Sequence, residues 1–177
     1  MSAIKLDAGA SFPKFEVPKF GGGVVTVGAP SGDNDWQLVI VYRGKHCPIC
    51  TRYLNTLNEL LPKFNALGVD VIAVSADTQE RATIQLTDVK LDFTVGYDMS
   101  IAQMQALGLY ISDPRSDAES DRPFPEPGLF MINEKGNIQI IDISNAPFAR
   151  PDLNVVLGGA GFVRNPENSY PIRGMHK

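Results

Sequence analysis

The chain contains two cysteines, Cys47 and Cys50, separated by Pro48 and Ile49. A thiolate is a nucleophile, a metal ligand and a carrier of redox equivalents, so such a pair can be a redox couple, half of a metal site, or simple packing. A structural disulfide is disfavoured, because a bond across so short a stretch closes almost no loop and removes almost no entropy from the unfolded chain. Zinc needs a full set of protein ligands. Only His46 and His176 are histidines and no other cysteine pair exists, so no metal and no cofactor are expected. Packing cysteines sit in apolar surroundings. Here Arg43, Lys45 and His46 run into Cys47, which favours the redox reading and leaves the other two as alternatives.

The flanking sequence says how the pair is placed. Leu38-Val39-Ile40-Val41-Tyr42 is continuously apolar and rich in β-branched residues, as in a strand covered on both faces. Pro48 then begins a helical pattern with Leu54, Leu57, Leu60, Leu61, Phe64 and Leu67 on one stripe, ending at Gly68, with Pro62 predicted to kink it. Cys47 is therefore the last non-helical residue. Unpartnered N–H groups of the first turn, including that of Cys50, point at its sulfur, and the helix dipole adds positive charge. Both lower its pKa, as do Arg43, Lys45 and His46 if they fold toward it. Cys50, one turn along and more buried, is close enough to resolve a sulfenic acid or mixed disulfide on Cys47.

Further elements follow in alternation. Val69 to Ser75 reads as a second buried strand joined by a right-handed crossover. A helix over about 79–89 is capped by Asp77 or Thr78. Phe93-Thr94-Val95 precedes a helix capped by Asp98 or Ser100 that runs to Leu107. Residues 112–127, polar and proline-rich, read as an exposed loop. Leu129–Asn133 and Ile138–Ile143 flank a hairpin turn, and a last helix follows Pro151. A short β-prone hairpin around Gly21-Gly22-Gly23 lies at the start. The order predicts an α/β, thioredoxin-like fold: a central mixed β-sheet flanked by helices, with an N-terminal β extension, as a single domain over 1–177.

Composition narrows the function classes. With 177 residues, 44% hydrophobic and 20% charged, the chain can bury a core and is not disordered. Sixteen basic against twenty acidic side chains give −4, so no basic field gathers nucleic acid or an anionic membrane surface. The N-terminal residues lack an apolar leader stretch, and no run is long enough to span a bilayer. The expectation is a cytoplasmic protein, without nucleic-acid or membrane partners, in a compartment where a CxxC is catalytic or metal-binding rather than structural.

Val41-Tyr42-Arg43-Gly44-Lys45-His46-Cys47-Pro48-Ile49-Cys50 resembles the active-site segment of the peroxiredoxin-like branch of the alkyl hydroperoxide reductase/thiol-specific antioxidant family. The helix from Tyr53, the hairpin Leu129–Ile138 and the tail Tyr170-Pro171-Ile172-Arg173-Gly174 are similar to the same branch. The resemblance implies a thiol-dependent enzyme with antioxidant activity, in which Cys47 attacks a hydroperoxide or a disulfide and Cys50 completes an internal disulfide. An external thiol such as thioredoxin, glutaredoxin or glutathione would reduce that disulfide, and a homodimer is compatible with it. The resemblance further places Pro127 where thioredoxin-like folds carry a cis-proline facing the active cysteine. Arg43 or Arg173 would supply positive charge near Cys47, with His46 either tuning the thiolate or facing solvent.

The pattern departs from the main peroxiredoxins at three places. Ile40 and Gly44 stand where those enzymes have a proline and a hydroxyl side chain, and Pro127 replaces an arginine. The missing hydroxyl leaves open a dithiol–disulfide oxidoreductase, and the scaffold itself leaves open a non-catalytic binding module.

Overall fold

The computed structural model describes residues 5–176. In chain order the strands are β1 (Phe15–Pro18), β2 (Val24–Val27), β3 (Trp36–Val41), β4 (Val69–Val74), β5 (Thr94–Gly96), β6 (Ile111–Ser112), β7 (Phe124–Pro125), β8 (Gly128–Ile132) and β9 (Ile138–Ile143). The helices are α1 (Pro48–Ala66), α2 (Gln79–Asp88), α3 (Ile101–Ala106) and α4 (Leu153–Arg164). Five strands form the central sheet in the order β5-β4-β3-β8-β9. β3 runs parallel to β4, with Val39 opposite Ile72, and antiparallel to β8, with Val39 opposite Phe130. β1 and β2 form the N-terminal hairpin, and β6 pairs with β7 in a second one. The mixed sheet flanked by helices is the thioredoxin-like arrangement expected from the sequence.

Period-two alternation along β3 divides the core. Leu38 and Ile40 pack on the face covered by α1 and α4, against Leu54, Leu57, Phe64, Leu153, Val156 and Ala160. Val39 and Val41 pack on the other face with Met104, Leu107 and Phe130, and with Phe12, Val17 and Val27 of the N-terminal extension. β3 is buried along its whole length, which explains its unbroken apolar run. Its C-terminal end is consequently a fixed point from which the Cys47 loop and α1 depart.

Helix starts obey local capping chemistry. Thr78, not Asp77, caps α2 by accepting the Arg81 amide, and Ser100 caps α3 in a reciprocal pairing with Gln103. Asp98 does not cap; it takes a positive φ of 54° and pairs with Arg122. α1 passes through Pro62 and continues to Ala66, where Gly68, at φ +72°, ends the turn. Only part of the 112–127 segment is the exposed loop its composition predicts: Asp113, Arg115 to Ala118 and Asp121 are exposed. Ser120 and Phe124 to Pro127 are buried, because Phe124 lies beneath Arg43 and beside His46 while Glu126 pairs with Arg43.

Candidate active site

The turn after β3 closes when the Cys47 amide donates to the Gly44 carbonyl at 3.1 Å. Cys47 then stands in extended conformation as the N-cap of α1, with Pro48 in the first turn, where its lack of an N–H is no loss. Its sulfur accepts the Cys50 amide at 3.3 Å. Both cysteines are reduced and buried, Cys47 to 3% and Cys50 to 0% exposure.

The electrostatics separate the two thiols. The hydrogen bond from the Cys50 thiol is the largest influence pulling Cys47 down to about 6; the Cys50 amide, Arg150 and Arg43 add to it against the opposing effect of burial. Cys50 is pushed strongly upward, first by that same bond to Cys47 and then by burial. The pair therefore holds a thiolate on Cys47 and a proton on Cys50.

Arg150 was not among the residues the sequence pointed to, yet it completes the site. It lies in the loop between β9 and α4, and its Nη2 donates to Cys50 Sγ at 2.8 Å. The guanidinium stacks over the Tyr53 ring at 4.9 Å, and the Tyr53 hydroxyl donates to the Pro151 carbonyl at 2.8 Å. Among the described residues Arg150 has no carboxylate partner, and its Nε and Nη1 are buried without a hydrogen-bond acceptor.

Arg43 does come near the site, but as a shared charge. Its Nε is 3.3 Å from Glu126, its Nη2 is 3.8 Å from Glu119, and its guanidinium lies 4.8 Å over the Phe124 ring. His46 stacks against Phe124 at 4.5 Å with both ring nitrogens buried and unpartnered. Burial, and then Arg43, pull its pKa down to about 4, so it is neutral at neutral pH and brings no positive charge to Cys47. The Lys45 side chain is exposed; its amide is what matters, donating to Asp77 at 2.6 Å.

Two expectations need correction. The peptide bond before Pro127 is trans, since none of the described residues follows a cis bond. The chain enters β8 extended, tied by the Glu126 amide to the Tyr110 carbonyl and by Gly128 to Val41 and Ile143, and Pro127 lines a small cleft with Tyr53, Arg150 and Pro151. Arg173 does not reach the cysteines. It is exposed, stacks over Tyr170 at 4.8 Å, and borders a groove with Leu6, Ile140 and Phe162 that no residue of the cysteine site lines. The arginine placed against a cysteine is Arg150.

Among the described residues no group of three or more His, Cys, Asp or Glu side chains gathers to hold a metal ion, and no helix is long and apolar enough to cross a membrane.

Comparison with known proteins bears on the family and the fold. The sequence profile of the AhpC/TSA family matches residues 8–141. A mutant of the peroxiredoxin 6 of Arenicola marina superposes with a TM-score of 0.77 at 18% identity, covering 92% of this chain and 75% of that one. A peroxiredoxin-like protein of Aquifex aeolicus gives 0.75 at 19% identity, with 90% and 89% covered. A Chlorobium tepidum structure described as a thiol:disulfide interchange protein, DsbE, gives 0.68 at 22% identity, with 90% and 99% covered. A comparison with curated proteins finds no match.

Proposed function

Because the chain belongs to the AhpC/TSA family, a family of thiol redox proteins, we propose that it reduces hydroperoxides through Cys47, with Cys50 as the resolving thiol. The observation that carries this reading is the Cys47 sulfur at the N-terminus of α1, accepting the Cys50 amide at 3.3 Å; burial and the bond to Cys47 push the Cys50 thiol up and so favour its staying protonated. The Cys47 thiolate attacks the terminal oxygen of the hydroperoxide, the O–O bond breaks, and the alcohol leaves with a proton. Cys47 is thereby oxidised to the sulfenic acid. Cys50 sulfur then attacks Cys47 sulfur, expelling the oxygen as water, and an external dithiol or two glutathione molecules return the Cys47–Cys50 disulfide to the thiols.

A second substrate class is favoured by one feature. The position of the main-branch hydroxyl is Gly44, and the space beside it is filled by the Asp77 carboxylate. A disulfide substrate needs the same two thiols and no hydroxyl beside them. Reduced protein mixed with an organic hydroperoxide, quenched at intervals and weighed, decides between them. The proposal expects the Cys47–Cys50 disulfide to form much faster than a free thiol oxidises at the same pH. Oxidation at the free-thiol rate, with rapid oxidation by a small disulfide, would replace the peroxidase reading by the second one.

A further inference from the structure

A guanidinium taken out of water needs a counter-charge, and among the described residues Arg150 has no carboxylate. Among the described residues its one hydrogen-bond acceptor is the sulfur of Cys50, at 2.8 Å. Stacking on Tyr53 fixes the plane of the group, and the bond from the Tyr53 hydroxyl to the Pro151 carbonyl ties that ring to the residue next to Arg150. The arrangement aims a permanent positive charge at the second cysteine, which is the protonated one in the reduced pair.

We propose that Arg150 is a catalytic residue of the resolving step, holding Cys50 as a thiolate once Cys47 has been oxidised. This role rests on the reading of Cys50 as the resolving thiol. In the reduced protein the Cys50 proton is committed to the Cys47 thiolate. Oxidation removes the negative charge from Cys47, and with it the reason for Cys50 to remain a donor. What raised Cys50 was first the bond to Cys47, then burial, then repulsion from Cys47; Arg150 acts in the opposite sense. Of these, burial and Arg150 remain. The two neighbouring phenols, Tyr42 and the Tyr53 that carries Arg150, are both raised by burial and stay protonated. Burial still opposes ionisation, and Arg150 is the influence that favours it; as the Cys50 thiol gives its proton to the departing oxygen or to solvent, its sulfur attacks Cys47 sulfur, the S–O bond breaks, and the oxygen leaves as water. No external oxidant enters this step.

The test supplies the oxidising equivalents without a peroxide. Reduced protein is mixed with dithiobis(nitrobenzoate): Cys47 displaces one coloured thiolate and forms a mixed disulfide, then Cys50 displaces the second and forms the internal disulfide. The first phase scales with reagent concentration and the second does not. Arg150→Met should slow the second phase by about tenfold or more, the scale of a hydrogen bond to a charged group, and the first phase by much less. Arg150→Lys should recover part of the loss. In wild-type protein the second phase should hold its rate well below the ordinary thiol range of about 8.5. A second phase unchanged within about twofold in Arg150→Met overturns the proposal. So does a wild-type second phase that titrates at or above an ordinary thiol, a result that decides the matter even where the variant does not fold. Failure of the hydroperoxide reaction counts against the proposed function alone.

Discussion

The carboxylate of Asp77 stands where a side chain on Gly44 would have to be: a Cβ there would lie 2.6 Å from Oδ1 and 2.7 Å from Oδ2. Gly44 also holds φ at +130°, a conformation other residues rarely adopt, and Asp77 accepts the Lys45 amide and pairs with Arg81 at 3.2 Å. The Cys47 turn is thus set by a buried acid from the loop between β4 and α2. It needs no hydroxyl within the turn itself.

Gly44→Thr should therefore not improve peroxide reduction. Backbone strain and displacement of Asp77 together should cost about 2–4 kcal/mol of stability. Urea unfolding reads the loss, and a more stable or more active variant would contradict the packing described.

How much of this was legible beforehand depended on sequence distance. Pro48 after Cys47, and the apolar stripe from Leu54 to Phe64, announce the N-cap and the buried face of α1 because the rules involved act within one or two turns. Arg150 meets Cys50 across 100 residues and nothing near Pro151 signals it. The 112–127 segment misleads for the same reason: its charges look solvated until Arg43, contributed by the Cys47 turn, is found beside Glu126 and Glu119.

Arg43→Met should leave Glu126, which is 4% exposed, without its positive partner. Loss of one member of a buried pair costs about 3–5 kcal/mol, whereas Arg43→Met with Glu126→Gln should recover most of it. A double-mutant cycle on unfolding free energies measures the coupling, and strict additivity would show that the pair is not coupled.

His46 makes stability depend on acid. Its pKa lies near 4 in the folded chain against 6.5 for a free histidine, so the unfolded state takes up a proton first as the pH falls. Its contribution is complete above about 6.5 and is lost as the pH falls through about 4. Urea midpoints between these limits should fall less in His46→Leu than in the wild type, and parallel curves would show that His46 is not buried neutral.

Cys47 should be alkylated by iodoacetamide with a half-maximal rate near pH 6, well below an ordinary thiol at about 8.5. Cys50→Ala, which removes the strongest of the influences lowering it, should move that midpoint upward. A wild-type midpoint in the ordinary thiol range would mean that the helix terminus and Cys50 do not stabilise the thiolate.

The division of labour between the two cysteines is tested most directly by one equivalent of hydroperoxide and a sulfenic-acid trap, with the adduct located by peptide mass. The account predicts that Cys50→Ser accumulates the trapped sulfenic acid on Cys47, that Cys47→Ser stays unlabelled, and that the wild type yields the internal disulfide instead. Equal labelling of the two variants, or labelling on Cys50 alone, would contradict it.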